Sequence, residues 1–244
     1  MAKQSGLGDN LYVAGVDVSG DVGSLGSIAC PQALQDVTGI NKSAMERLGL
    51  LREGTIEFSG FFNDDPGQLH DTVSGLPYTD VILSYCRGTA IGNQSACLVA
   101  KQVNYDVTRA ADGGLTVAVS ATSNGYGLEW CQQLTSGKST LTSAGNLTSI
   151  DNAASTAFGA QAYLQVMAFT GTSATVVVQD SADNSSFSTV TGLSFAAATG
   201  VTTERVATGA TATIRRYVRA SVSGTFSNLV FGVFVNVNQS LTAF

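Results

Sequence analysis

Few residues of this chain have the types and spacing that chemistry needs. His70 is the only histidine among 244 residues. A Ser-His-Asp triad would have to use it, and no Gly-x-Ser-x-Gly elbow presents a serine to it. Its place in a short helical stretch suits a surface or capping role. Glu53 with Glu57, and Asp64 with Asp65, are carboxylate pairs of the kind glycoside hydrolysis uses. Acids at the starts of strands and helices are equally ordinary as solvated or capping groups. Asp9, Asp17 and Asp21 lie among glycines, yet their spacing matches no EF-hand and no closing glutamate follows. Cys30, Cys86, Cys97 and Cys131 show no metal-site spacing and read as small buried hydrophobes. Phosphate-loop and dinucleotide glycine patterns are absent. These residues predict no enzyme, no metal and no cofactor.

Composition points the same way. Charged residues make up 12% of the chain and the net charge is −6. That argues against an electrostatic grip on nucleic acid or an anionic membrane. The acid is uneven: residues through Thr135 carry a net −7, and those from Ser136 onward a net +1. The start, Met1-Ala-Lys-Gln-Ser-Gly6, has no apolar run, so no secretory signal is expected. No stretch approaches the eighteen apolar residues of a membrane helix.

The elements that must position everything else centre on residues 53 to 88. In Glu53–Phe62, Ile56, Phe58 and Phe62 alternate with Thr55, Glu57 and Ser59, predicting a strand with one core face and one wet face. Asp64–Gly75 predicts a short helix, capped by Asp64 or Asp65 and striped by Leu69 and Val73. Thr79–Cys86 predicts a second strand. Cys97–Arg109 reads as one long alternating strand, with Gln102, Asn104 and Asp106 on its polar face. Ala111–Gly114 turns it back into Leu115–Thr122. Residues 1 to 37 read as an extended arm with turns, and residues 42 to 48 as a turn or two of helix.

Leu134–Phe158 is low in complexity and reads as a linker. The expected domains are residues 1–135, a linker at 136–157, and a second β-sandwich at 158–244. In the latter, short strands 162–169 and 174–180 are joined by a turn at 170–173. Further strands are expected at 187–191, 201–207, 213–222 and 229–237. Arg215, Tyr217 and Arg219 share one strand face there. They could be a solvated face or a polar, aromatic-bearing surface for sugars.

The run Asp36-Val-Thr-Gly-Ile-Asn-Lys-Ser-Ala-Met-Glu-Arg-Leu-Gly-Leu-Leu-Arg-Glu-Gly-Thr-Ile-Glu-Phe-Ser-Gly-Phe-Phe-Asn63 resembles the major tail (tail tube) proteins of long-tailed, non-contractile bacteriophages. His70-Asp-Thr-Val73, Thr79-Asp-Val-Ile-Leu83 and Tyr105-Asp-Val-Thr-Arg109 are similar to the same family, which extends the resemblance over about residues 5 to 135. It implies a mainly β fold: a tail-tube β-sandwich or barrel with a short flanking helix, followed by an outer β-sandwich. It further implies six-membered rings stacked into a virion tube that conducts DNA, assembled in the host cytoplasm. The partners would be further copies and other tail proteins (tape measure, tail tip, terminator), with DNA passing unbound and no membrane. A host-surface glycan on the outer sandwich is the alternative. The expected lumen-facing residues are Thr55, Glu57, Gln102, Asn104, Asp106, Thr116 and Ser120. Contacts between copies are expected from the 1–37 arm and the Gly88–Ser95 loop, so removing residues 1–20 should spare the subunit fold.

Overall fold

The computed structural model describes residues 5–241; the first four residues of the expected arm and the last three of the expected sandwich lie outside them. The fold is mainly β. Its first strands are β1 (Asn10–Val13), β2 (Val16–Asp17), β3 (Val22–Ala29), β4 (Gln32–Asp36), β5 (Arg47–Arg52) and β6 (Thr55–Phe61). A short helix, α1 (Leu69–Val73), precedes β7 (Val81–Cys86), β8 (Gln94–Gln102), β9 (Asp106–Arg109), β10 (Leu115–Ser123) and β11 (Glu129–Gln133). Then come β12 (Ser139–Leu141), β13 (Gly145–Asn146), β14 (Ile150–Asp151), β15 (Ala160–Ser181), β16 (Ser188–Ser194), β17 (Thr202–Ala207) and β18 (Tyr217–Val237). Among the described residues, sixteen of these strands form one sheet network, while β4 and β5 pair only with each other.

The alternation of β6 holds. Ile56 and Phe58 are buried, while Thr55, Glu57 and Ser59 stay on the wetter face. Leu69 and Val73 of α1 are fully buried, as their i, i+4 spacing predicts. The helix cap comes from elsewhere. Asp21 Oδ2 accepts the Leu69 N–H at 3.0 Å, and its Oδ1 accepts Asn63 Nδ2 at 2.9 Å. Within the expected 1–37 arm, the stretch from Asn10 to Ala29 belongs to the body of the fold. Leu11, Tyr12, Val13 and Val18 are buried, β1 pairs with β7, and β3 pairs with β6.

Three further expectations are corrected. Residues 42–48 form no helix; they close and enter a β4–β5 hairpin with Asp36 opposite Arg47. Asp36 Oδ1 accepts the Thr38 N–H (2.9 Å) and hydroxyl (2.6 Å), and Thr38 Oγ1 accepts the Glu46 N–H. These side chains satisfy the backbone locally and so compete with helix. The 136–157 stretch, expected as a linker, supplies β12, β13 and β14, all paired with β18. Finally, no turn interrupts residues 170–173. β15 runs through them as a single strand against β18, with register shifts between Val166 and Ser173.

Those bulges bend the ribbon. Residues from both halves of β15 (Leu164, Val176) and from both halves of β18 (Ala220, Val233) consequently enter the same core. Gly224 makes the crossing possible. Its φ is +119°, and a Cβ there would lie 2.2 Å from the Ser173 carbonyl oxygen.

A second core gathers Ile56, Phe58, Leu98, Val117 and Val119 with α1. Between the two lies a third cluster, in which Tyr12, Ile82, Cys86, Cys97 and Cys131 meet Tyr163 and Phe234. β11 crosses this region in register with both neighbours, Trp130 opposite Ala96 and Gln132 opposite Val235. Gln165, fully buried, completes the junction: it accepts the Gly15 N–H (2.8 Å) and donates to the Ile82 carbonyl (2.9 Å).

Removing residues 1–20 strips β1 from β7 and four side chains from two cores. At roughly 1.5–3 kcal/mol for each large apolar side chain, the truncated chain should lose cooperative unfolding and aggregate, as circular dichroism and size-exclusion chromatography would show. A second outcome concerns thiols. Cys86, Cys97 and Cys131 are buried and unpaired, and burial pushes the Cys86 and Cys131 thiols up from their ordinary range. Half-buried Cys30 should therefore react fastest with a thiol reagent at pH 8, the other three only after denaturant is added.

Candidate assembly and conduit surfaces

β9, β10, β6 and β3 lie side by side, and their register defines one outward face. Thr116 stands opposite Phe61, Ser120 opposite Glu57, and Thr122 opposite Thr55. Asp106 and Thr108 of β9 join the face opposite Ala118 and Thr116. Ser24 and Ser27 of β3 extend it beside Ser59 and Glu57, with Ser24 and Ser59 hydroxyls 2.8 Å apart. Its ionisable groups are Glu57 and Asp106. Arg109, the single base within these four strands, pairs with Leu115 on the opposite side. Lys101 stands opposite Thr122 at the margin and is held by Asp80 at 2.8 Å. Apart from Phe61, exposed at one end, the face is therefore small, polar and slightly acidic.

Five of the seven expected lumen residues (Thr55, Glu57, Asp106, Thr116 and Ser120) share this face. Gln102 does not. The expected single strand breaks at residues 103–105, between β8 and β9. Gln102 pairs with Ala121, whereas Val107 pairs with Val117, so the break slips the alternation by one residue. Gln102 accordingly turns inward and donates its Nε2 to the Val73 carbonyl at 2.5 Å and to the Asn104 carbonyl at 3.1 Å. Asn104 fills the gap in the ladder. Its Oδ1 accepts the Ser120 N–H at 2.6 Å and its Nδ2 donates to Asp106 at 2.8 Å. Tyr105 also points inward, its hydroxyl 2.5 Å from His70 Nδ1, and the Phe62 ring packs against the imidazole at a 42° tilt, centroids 4.7 Å apart. His70 is thus a packing residue between helix and sheet.

The polar face has two open edges. Among the described residues, β3 pairs only with β6, and β9 only with β10. Open edges expose unpaired backbone groups and invite another strand.

A second surface carries none of the expected lumen or sugar residues, although its first strand, β4, falls within the 1–37 segment expected to touch other copies. Every residue from Pro31 to Glu53 is exposed. In the hairpin, Leu34 and Leu51 lie on one side and Leu48 and Leu50 on the other, while Val37, Ile40 and Met45 stand uncovered near its tip. Leu51 is 87% exposed. A lone two-stranded hairpin is marginal in water, and apolar side chains on both of its faces have no core to enter. The sequence signal lies in Arg47-Leu-Gly-Leu-Leu-Arg52, whose interior glycine suits a strand pair better than a helix. The Gly88–Ser95 loop is less available: Gly88 N–H is held by Asp9 Oδ1 (2.8 Å), Gly92 N–H by the Gln133 carbonyl (2.8 Å), and Ile91 packs on a core.

The expected sugar face of the second half is largely occupied by its own partners. Arg215 Nε and its backbone N–H each reach Asp180 at 2.8 Å, and the side-chain bond raises the arginine's pKa further above its ordinary value. Arg219 donates to Gln179 (2.9 Å) and lies 3.9 Å over the Phe187 ring. Tyr217 carries the Arg216 guanidinium 4.9 Å from its ring, and Arg216 grips Asp151 through two 2.7 Å bonds.

The most buried ion pair among the described residues joins the two halves. Arg205 of β17 reaches Glu129 of β11 at 2.7 Å; their side chains are 7% and 15% exposed. Burial alone would lower the Arg205 pKa, but Glu129's hydrogen bond and charge hold it above its ordinary value. The Tyr163 hydroxyl donates to Glu129 at 2.6 Å, and the Tyr126 ring covers the guanidinium at 3.8 Å.

No protein-family model and no curated protein matches the chain. Similar solved structures include chains of virion and baseplate particles and a phage hub protein. A chain in the virion of a native gene transfer agent particle aligns at 13% identity and a TM-score of 0.42, covering 52% of this chain and 98% of its own. The SPP1 Dit protein, described as a hub of an adsorption apparatus in phages infecting Gram-positive hosts, aligns at 10% identity and 0.33, covering 93% and 98%. A chain of the phage p2 baseplate in its activated conformation aligns at 9% and 0.37, covering 96% and 99%.

Arg205→Ala leaves Glu129 buried without its cation, and removing one partner of a buried pair costs roughly 3–5 kcal/mol. Urea unfolding should show a loss of about that size. A change under about 1 kcal/mol would mean that the pair behaves like a surface salt bridge.

Proposed function

We propose that this chain is a structural subunit that polymerises through copies of itself into rings, six to a ring, stacked as a phage tail tube that conducts DNA. The observation that carries this reading is the β4–β5 hairpin. Its uncovered leucines need a second surface, and docking onto a neighbouring copy would bury them at a gain of about 25 cal/mol per Å² of apolar area. The polar face supplies the conduit. Side by side around a ring, β3 of one copy would meet β9 of the next, closing the open edges and turning Thr55, Glu57, Asp106, Thr116 and Ser120 inward.

Such a lining suits passage of DNA. Duplex DNA carries one charge per roughly 1.7 Å, and each lysine or arginine contact adds an ion-releasing anchor; a neutral to acidic wall offers none. The resemblance of residues 5 to 135 to tail tube proteins supports the same reading. Other tail proteins would then be partners at the tube's ends, and the subunit would act in the virion without catalysis.

The test is negative-stain electron microscopy of concentrated protein beside the triple variant Leu48→Ser, Leu50→Ser, Leu51→Ser. Because these side chains touch no core, the variant should keep its circular dichroism spectrum yet give no hollow tubes where the parent gives ring-repeat tubes. Tubes from both proteins would overturn the hairpin's role. A parent that stays monomeric at every concentration would overturn the tube itself.

A further inference from the structure

A groove of about 1060 Å³ runs along the base of the hairpin, between the loop before β11 and the adjoining ends of β15 and β18. We infer that it is a binding site for a neutral sugar ring. This goes beyond the assembly reading and does not rest on it; Leu50 and Leu51 of the hairpin also line the groove, so a docked neighbour and a sugar would compete for it.

The groove combines two kinds of surface. Trp130, the only tryptophan of the chain, is 48% exposed, and Tyr126 is 40% exposed. Exposed aromatic faces match the apolar C–H face of a pyranose and give it a rigid platform. The polar part is a set of linked amides from β15, β18 and the residue just after it. Asn236 Nδ2 donates to Gln161 Oε1 (3.1 Å) and to Asn238 Oδ1 (3.2 Å), and Asn238 Nδ2 donates to the Phe158 carbonyl (3.0 Å). Gln161 is only 2% exposed and Asn238 5%. This wiring leaves Gln161 Nε2, a donor, and Asn236 Oδ1, an acceptor, without a protein partner among the described residues, and both residues line the groove. Neither atom is sealed from solvent, so both are open to a ligand in the groove. A donor and an acceptor presented together are what a sugar hydroxyl, which does both, can satisfy.

Charge supports neutrality of the ligand. Arg52 and Glu53, both exposed, line the groove as one cation and one anion with no salt bridge between them, while Glu129 is matched by Arg205. With Arg205 counted beside Glu129, the groove carries no net charge, which favours neither an anion nor a cation.

Trp130 makes the experiment direct, since all tryptophan emission from the intact chain reports on the groove. The full-length protein is titrated with four neutral disaccharides: maltose, lactose, sucrose and N,N′-diacetylchitobiose. At least one should give a saturable shift in emission, weakened about tenfold in Asn236→Ala, the loss expected for one good hydrogen bond. Saturation-transfer NMR observed on that sugar should show its signal lost in Trp130→Ala, a comparison that holds even if the asparagine variant does not fold. Absence of a shift with all four sugars overturns the inference, as does unchanged transfer in Trp130→Ala.

Discussion

The structure depends on β11 having a hydrogen-bonding partner on each side. Cut off from β18, this strand would leave N–H and C=O groups unpaired beside buried Cys131 and Gln133, and orphaned backbone groups in an interior are costly. Joined on both sides, it makes the two cores neighbours through a third, where Tyr163 and Phe234 from one half meet Cys86 and Cys97 from the other. The Arg205–Glu129 pair and the three bonds of Gln165 sit on the same seam. Backbone pairing, apolar contact and buried polar groups all act there together. A composition that reads as two domains with a tether is thus folded around a shared seam.

Against that fixed body, the hairpin stands apart. Its hydrogen bonds are internal and its apolar side chains are outside. The polar sheet face, by contrast, is backed by the core containing Val117 and Val119 and is held in register by long ladders. One surface is rigid and small-featured, suited to line something. The other is projecting and apolar, suited to attach.

Much of this is legible in the residues, and the failures have physical causes. Alternation in Thr55–Phe61 and Leu115–Ser123 marks both strands and their faces, because one side is buried and the other wet. The Leu69/Val73 stripe locates the helix, while its cap is illegible: Asp21 reaches it from 48 residues away. Gln102 reads onto the wrong face because a three-residue break in the ladder leaves no mark on the polar pattern. Residues 170–173 look like a turn because Gly171 sits among threonines and serine. In the folded chain that glycine marks a bulge inside a long strand, where a Cβ would come 2.4 Å from the Cα of Phe226. The low-complexity 136–157 stretch has no apolar rhythm of its own, and β18 gives it structure through backbone bonds that any sequence can make.

The ribbon of β15 and β18 also bears on how the chain folds. Its rungs join residues from 36 apart (Ser181 and Tyr217) to 77 apart (Ala160 and Val237) in sequence. The nearer rungs close the smaller loops, so zipping should begin beside Ser181 and travel toward Ala160. β18 comes last in chain order, yet among the described residues β12, β13 and β14 pair with nothing else, and β11 and β15 each lack one of their partners until it arrives. During synthesis those strands must stay without that partner until the ribosome has delivered β18. A subunit whose projecting hairpin is ready early is therefore kept from having a finished body until late, so attachment and completion are separated in time by the order of the sequence itself.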